Sequence, residues 1–229
     1  MERVELHIHS NMSAMDGVTC AAKLIGQARR WEHKAVAITD SGNVGAFPEM
    51  METVEWIREN GGMIKPVYGM EAYLVNDGKN ENINELPVHI ITILVKSQTG
   101  LKNLYKLVSL SNLNYFHKVP RIPLSELQKH RDGLLIGSGY APCEELCELY
   151  DYFEIQPAAG DEAIKALSLK IVELADKHGK LCAATGNVHY KDKEDDIIYK
   201  IIRSAVNCKD ADKLPPMHFR TSDEMLREF

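Results

Sequence analysis

Short apolar, β-branched runs alternate with longer stretches of helical period along almost the whole chain. The short runs fall at residues 4–9, 35–40, 64–75, 88–95, 134–137, 152–156 and 181–186, which makes seven strand candidates. Between them, residues 20–30 put Ala21, Leu24, Ile25 and Ala28 on one helical face. Residues 47–58 and 101–115 follow, the latter with Leu104, Leu107 and Val108, and residues 163–178 repeat the pattern with Leu167, Ile171, Leu174 and Ala175. Gly61, Gly62 and Gly179 fall just past helices, where a left-handed residue is favoured. Such alternation implies parallel strands joined by right-handed crossovers. Neither the dinucleotide glycine fingerprint nor a P-loop is present, so a nucleotide-binding open sheet loses support. The expected fold class is therefore α/β, a seven-stranded barrel.

Two stretches interrupt the rhythm. Residues 76–86 (NDGKNENINEL) are polar and turn-rich and predict a surface loop between the third and fourth strands. Residues 117–123, with Pro120 and Pro123, predict an extended connector before a short helix at 125–130. Near the end, Thr221-Ser-Asp-Glu224 is a capping-box pattern that opens a last helix over 225–229. Residues 218–229 thus read as the start of a helix leading into further domains, and 1–229 as one domain.

Composition narrows the function classes. The 229 residues carry 27 Lys and Arg against 33 Asp and Glu, a formal charge of −6, and 45% are apolar. That is enough for a substantial core, and the acidic balance argues against a domain that grips nucleic acid by itself. No apolar run approaches the length of a membrane span. Five irregularly placed cysteines do not make a disulfide framework, and with a charged, alternating N-terminus they predict a cytoplasmic protein.

The strongest local chemical signal is His7-Ile-His9, with Asp16 seven residues on. Residues two apart in a strand face the same side, so both imidazoles point one way, and at the end of a barrel strand that way is the mouth. Other groups able to bind metal recur late in the strand units: Asp40 closing the second, Glu71 inside the otherwise apolar third, and His189 after the seventh. A carboxylate buried like Glu71 needs a partner or a metal. A His, Asp and Glu mixture of this kind suits zinc, manganese or iron better than calcium. No Ser or Cys sits in a nucleophile elbow. His89 begins the fourth strand, the wrong end for a parallel strand to reach the mouth. Cys143 and Cys147 lie four apart on an expected helix face without a second pair.

At His7-Ile-His9, Thr39-Asp40, Gly69-Met-Glu71 and Gly186-Asn-Val-His189, the chain resembles the PHP (polymerase and histidinol phosphatase) family. It is most similar to the PHP domains of PolC-type bacterial DNA polymerase III alpha subunits. The segments VELHIHSNMSAMDGVT, AVAITDSG, VYGMEAYLVNDG, TGLKNLYKLVS, GLLIGS, YDYFEIQP and FRTSDEML carry the likeness from one end to the other. The resemblance implies a distorted seven-stranded (β/α) barrel and a centre of up to three divalent ions. It places His7, His9, Asp16, Glu71, His89 and His189 at metal positions, with His7, His9, Glu71 and His189 as the catalytic set and Asp40 as a further ligand or outer-shell group. Three positions depart from the family pattern: Ser41 stands for a histidine, Tyr140 for a cysteine and Asn187 for an aspartate. The loop at 76–86 falls where PolC-type chains carry an exonuclease insertion.

Two functional readings follow. In one, the domain is a structural and docking module beside polymerase domains or replisome subunits, with a partly degenerate centre of reduced occupancy. In the other, it is an active metal-dependent phosphoesterase acting on nucleotide 3′ ends, pyrophosphate or a small phosphate ester.

Overall fold

A computed structural model describes residues 3–78, 82–206 and 208–229. The elements follow the chain as β1 (Val4–Glu5), α1 (Ala21–Arg30), β2 (Ala35–Ile38), α2 (Phe47–Glu59), β3 (Lys65–Val75) and β4 (Val88–Val95). Next come α3 (Gln98–Leu113), β5 (Phe116–His117), β6 (Val119–Pro123), α4 (Leu124–Lys129), β7 (Leu134–Gly137) and β8 (Tyr152–Ile155). The chain ends with α5 (Glu162–Lys177), β9 (Leu181–Ala184), α6 (Asp196–Ala205) and α7 (Ser222–Leu226). All seven expected strands are present, and they form one curled path, β1-β2-β3-β4-β7-β8-β9. The two ends of that path meet where Ile8 bridges Val188, with His9 N donating to Val188 O at 2.7 Å and Val188 N to His7 O at 3.0 Å. The α/β, seven-stranded distorted barrel is thus what forms.

The expectation of an all-parallel sheet is corrected at β4. It runs antiparallel to both β3 and β7, while the other neighbours on the path pair in parallel. The physical reason lies in the connection: β3 is followed by a loop rather than a crossover helix, so the chain returns directly beside itself. The connector expected at 117–123 is a small hairpin, β5 with β6, and β6 adds parallel to the end of β3. Arg121 and Ser125 then anchor the 76–86 loop, through Ile83 O at 2.7 Å and the Asp77 carboxylate. Residues 79–81 of that loop lie outside the described residues. The segment around Cys143 and Cys147 is a single 3₁₀ turn, Glu144–Leu146, not a helix. All five cysteines are free thiols. The Thr221–Glu224 capping box is formed, three residues earlier than the helix start read from sequence.

Burial follows the amphipathic patterns. One apolar cluster joins α1 and α2 to the sheet through Leu24, Ile25, Ile38, Met50 and Val54. A second joins α3 and α5 through Ile91, Ile93, Leu104, Leu107, Phe153 and Ile171. Each fully buried aliphatic side chain of this kind contributes about 1.5–3 kcal/mol. The concave face of the sheet is different. His7, His9, Thr39, Asp40, Glu71, Thr92, Ser138, Glu154 and Thr185 are all buried there or at its rim. A third, smaller apolar cluster, with Ala37, Leu94 and Tyr152, lies on the same side of the strands one position pair further from the mouth, so the polar side chains gather at the mouth end. Among the described residues no helix is long and apolar enough to cross a membrane.

A tight backbone approach lies between α3 and the turn before β7. A Cβ on Gly100 would lie 1.8 Å from the Gly133 carbonyl oxygen, and Gly133 itself has φ +74°, a conformation that favours glycine. Gly100→Ala is expected to lower stability by at least about 1–3 kcal/mol, read as a reduced urea midpoint at unchanged slope.

Candidate metal centre

Each side chain of the centre is delivered by a different element. Just past β1 the chain stays extended, so His7 and His9 enter the curl from the same side. Their exit is pinned by Glu5, a fully buried carboxylate that accepts from Leu6 N, His7 N and Gly186 N at 3.0, 3.2 and 2.9 Å and pairs with Arg3. His7 Nδ1 lies 2.8 Å from Glu154 Oε2 on β8. Glu154 in turn accepts from Tyr152 Oη at 3.1 Å and Thr185 Oγ1 at 3.2 Å. This carboxylate accepts from Nδ1–H, so His7 Nε2 is the nitrogen presented inward. There it lies 3.2 Å from His9 Nε2 and 3.5 Å from Glu71 Oε2, while His9 Nε2 is 3.7 Å from the same oxygen.

A second group adjoins the first. His189 stacks on His9 with ring centroids 4.3 Å apart, and its Nδ1 is 3.3 Å from Asp16 Oδ1. In each group, His7–His9–Glu71 and His9–Asp16–His189, one donor atom per residue lies within 4.8 Å of the others. Arg203 on α6 reaches the same Asp16 Oδ1 at 3.0 Å. A cavity of about 590 Å³ opens from these residues, walled by Tyr73, Ile90, Tyr140, Leu167, Tyr199 and Met217.

The electrostatics follow from burial and proximity. Burial opposes charge on His7, but Glu154 and then Glu71 outweigh it and push its pKa up to about 10. Burial and the neighbouring His189 push His9 down to about 3. Burial works to raise Glu71, and the two histidines hold it below its ordinary value instead. Asp16 is likewise held low against its burial, by His189, His9 and Arg203.

The structure brings together His7, His9, Asp16, Glu71 and His189 of the residues singled out in the sequence. Asp40 stands apart from both groups. Its carboxylate is filled by Ser10 N at 2.6 Å, Ser10 Oγ at 2.8 Å and Ser13 Oγ at 2.6 Å, and so it shapes the loop after β1. The placement of His89 at the centre is corrected. Because β4 is antiparallel, its start does lie at the mouth, but His89 pairs with Leu74 and shares that residue's outward, helix-facing side. The inward position is its neighbour Ile90, paired with Tyr73 at the cavity wall.

The departing positions have their own partners. Ser41 Oγ donates to Glu71 Oε1 at 3.0 Å and lies 3.1 Å from His9 Nδ1. Asn187 contacts His189 Nε2 at 3.1 Å and Gln156 Oε1 at 3.3 Å. Tyr140 lines the cavity. Sequence reasoning missed Glu154 and Arg203. Glu154 carries the same signal as Glu71, a carboxylate within an apolar strand (YFEI), and Arg203 sits on the amphipathic run Asp196–Ala205.

The donor chemistry fits a divalent ion: imidazoles and carboxylates in the proportions of zinc, iron or manganese sites, with a carboxylate behind His7 that fixes its tautomer. The class is thus a curled α/β barrel with a His and carboxylate cluster at its mouth whose residues fit a metal ion. Residues 5–182 match the PHP domain model, and the chain belongs to the PHP domain family. It is 40% identical over 203 residues to the PolC-type DNA polymerase III of Listeria monocytogenes, covering 73% of this chain and 14% of that protein. It is likewise 40% identical over 190 residues to that of Bacillus subtilis, covering 67% of this chain and 13% of that protein. The chain therefore spans only about a seventh of the curated relatives it matches. Among solved structures, a candidate metal-dependent phosphoesterase from Bifidobacterium adolescentis has TM-score 0.53 at 12% identity, over 82% of this chain and 88% of its own. An amidohydrolase from Chromobacterium violaceum has TM-score 0.51 at 14% identity, over 81% of this chain and 87% of its own. At such identities the likeness is one of fold.

The His7 pair makes a pH prediction for metal-free protein. Its folded pKa of about 10 exceeds the ordinary 6.5, so its contribution is fully present below pH 6.5 and lost as pH rises toward 10. Denaturant midpoints in chelator should fall across that window, with a slope from this group of at most about 1.4 kcal/mol per pH unit. In His7→Gln this component of the fall disappears; an unchanged profile would refute the assignment.

Proposed function

We propose that the chain is a metal-binding PHP domain whose reduced centre serves chiefly to hold the barrel mouth together. Its setting is a PolC-type replicative polymerase in the cytoplasm, beside polymerase domains or replisome subunits. His7, His9 and Glu71 hold the ion, zinc, manganese or iron, and Glu154 orients His7. The observation that supports this reading most is the way the departing positions are satisfied within the protein. Ser41 links Glu71 and His9, and Asn187 links His189 and Gln156, so the centre is knitted by hydrogen bonds where further ligands are expected. The −6 charge accords with a domain that leaves DNA contact to other parts of such a machine. The loop at 76–86 stands, on this reading, where PolC-type chains insert their exonuclease.

A second reading, phosphoester hydrolysis, is favoured by one feature. The cavity beside the centre is lined by two buried donors without hydrogen-bond partners, Arg203 Nε and Gln156 Nε2. When bound, a divalent ion supplies Lewis acidity toward a phosphoryl oxygen. Arg203 and Gln156 would orient that group, and the aromatic walls would shield it from bulk solvent while leaving room for the attacking water.

A thermal-shift series separates the readings. Zinc or manganese is expected to raise the melting temperature and chelator to lower it, with no turnover of nucleotides, pyrophosphate or p-nitrophenyl phosphate. Turnover by the metal-loaded protein, lost in chelator, would install the second reading. Failure of any ion to bind would overturn both. Glu154→Gln is expected to weaken metal affinity about 10–100-fold, measured by competition with a chromogenic chelator.

A further inference from the structure

The two donor groups are not equivalent, and Arg203 is what separates them. In the His9–Asp16–His189 group Asp16 Oδ1 and the imidazole nitrogens already have protein partners. Asp16 Oδ1 takes Arg203 Nη1 at 3.0 Å and His189 Nδ1 at 3.3 Å. His189 Nε2 lies 3.1 Å from Asn187 Oδ1. His9 belongs to both groups, but its Nε2 faces His7 and Glu71, and its Nδ1 lies between Ser13 Oγ at 3.2 Å and Ser41 Oγ at 3.1 Å. The first group differs: His7 Nε2, His9 Nε2 and Glu71 Oε2 converge on one another, and among the described residues no Arg or Lys pairs with them.

Charge points the same way. A guanidinium is never neutral in a protein and is held here by a second contact, Nη1 to Met15 O at 3.4 Å. A dication entering the second group would meet that fixed positive charge across a few ångströms of partly buried space, where screening is weak. Asn187, being neutral, adds nothing to offset it.

We infer that Arg203 takes the place of a second metal ion, neutralising Asp16 and limiting the centre to a single ion at His7, His9 and Glu71. The inference rests on the metal-binding reading above and assigns Arg203 as a positioning residue that sets metal count. A bare tether between α6 and the loop after β1 would use the same Asp16 contact, but would leave the count unchanged when the charge is removed.

The test is metal stoichiometry on the whole chain, by elemental analysis after saturation with zinc or manganese and desalting, with anomalous scattering to place the ions. Wild type is expected to hold one ion, Arg203→Lys one, and Arg203→Met two, the second between His9, Asp16 and His189. Two ions in the wild type, or one ion in a folded Arg203→Met, overturns the inference and leaves the metal reading standing. No ion in the wild type overturns the metal reading itself. Should Arg203→Met not fold, Arg203→Gln decides: two ions are expected, and one ion in the folded variant overturns the inference.

Discussion

Much of the inner face of this barrel depends on one imidazole held between two buried carboxylates. His7, fully buried, lies 2.8 Å from Glu154 and 3.5 Å from Glu71. Either carboxylate alone at that depth would face a desolvation cost of several kcal/mol. With His7 protonated between them, the three groups compensate one another and join β3 to β8 through the residue that follows β1. The same arrangement prepares a metal position, since Glu154 directs the Nδ1 proton outward and turns Nε2 toward His9 and Glu71. On the metal-binding reading, an ion held by His7, His9 and Glu71 would take the place of the Nε2 proton, and metal affinity would then depend on pH.

Around this core the remaining positions trade charge and ligation for hydrogen bonding. A serine hydroxyl at 41 spans Glu71 and His9, an amide at 187 spans His189 and Gln156, and a guanidinium from α6 closes on Asp16. Each of these contacts keeps the mouth polar and occupies a donor or acceptor atom beside the two histidine–carboxylate groups.

How far this was legible depends on the kind of signal. His7-Ile-His9 was readable because the period of an extended chain is short and local, and Glu71 because a carboxylate in an apolar strand stands out. Glu154 stands out in the same way in YFEI, yet nothing in its own segment says that its partner is a histidine nearly 150 residues away. His89 shows the opposite failure. Neighbouring residues of a strand face opposite sides, so a choice between 89 and 90 is a choice between the helices and the centre. The direction of β4 misled the reading in a second way, because a polar loop after β3 permits an antiparallel return as readily as a long crossover.

The sequence by itself therefore determined the strand and helix candidates, the apolar faces, the α/β class and the core of the donor set, since all of these rest on short-range periodicity and side-chain chemistry. The tertiary structure alone decided the antiparallel course of β4, the outward turn of His89, the carboxylate behind His7 and the guanidinium against Asp16. Those features depend on register and on contacts between segments far apart in the chain. Local pattern carries no information about which distant side chain will share a buried site.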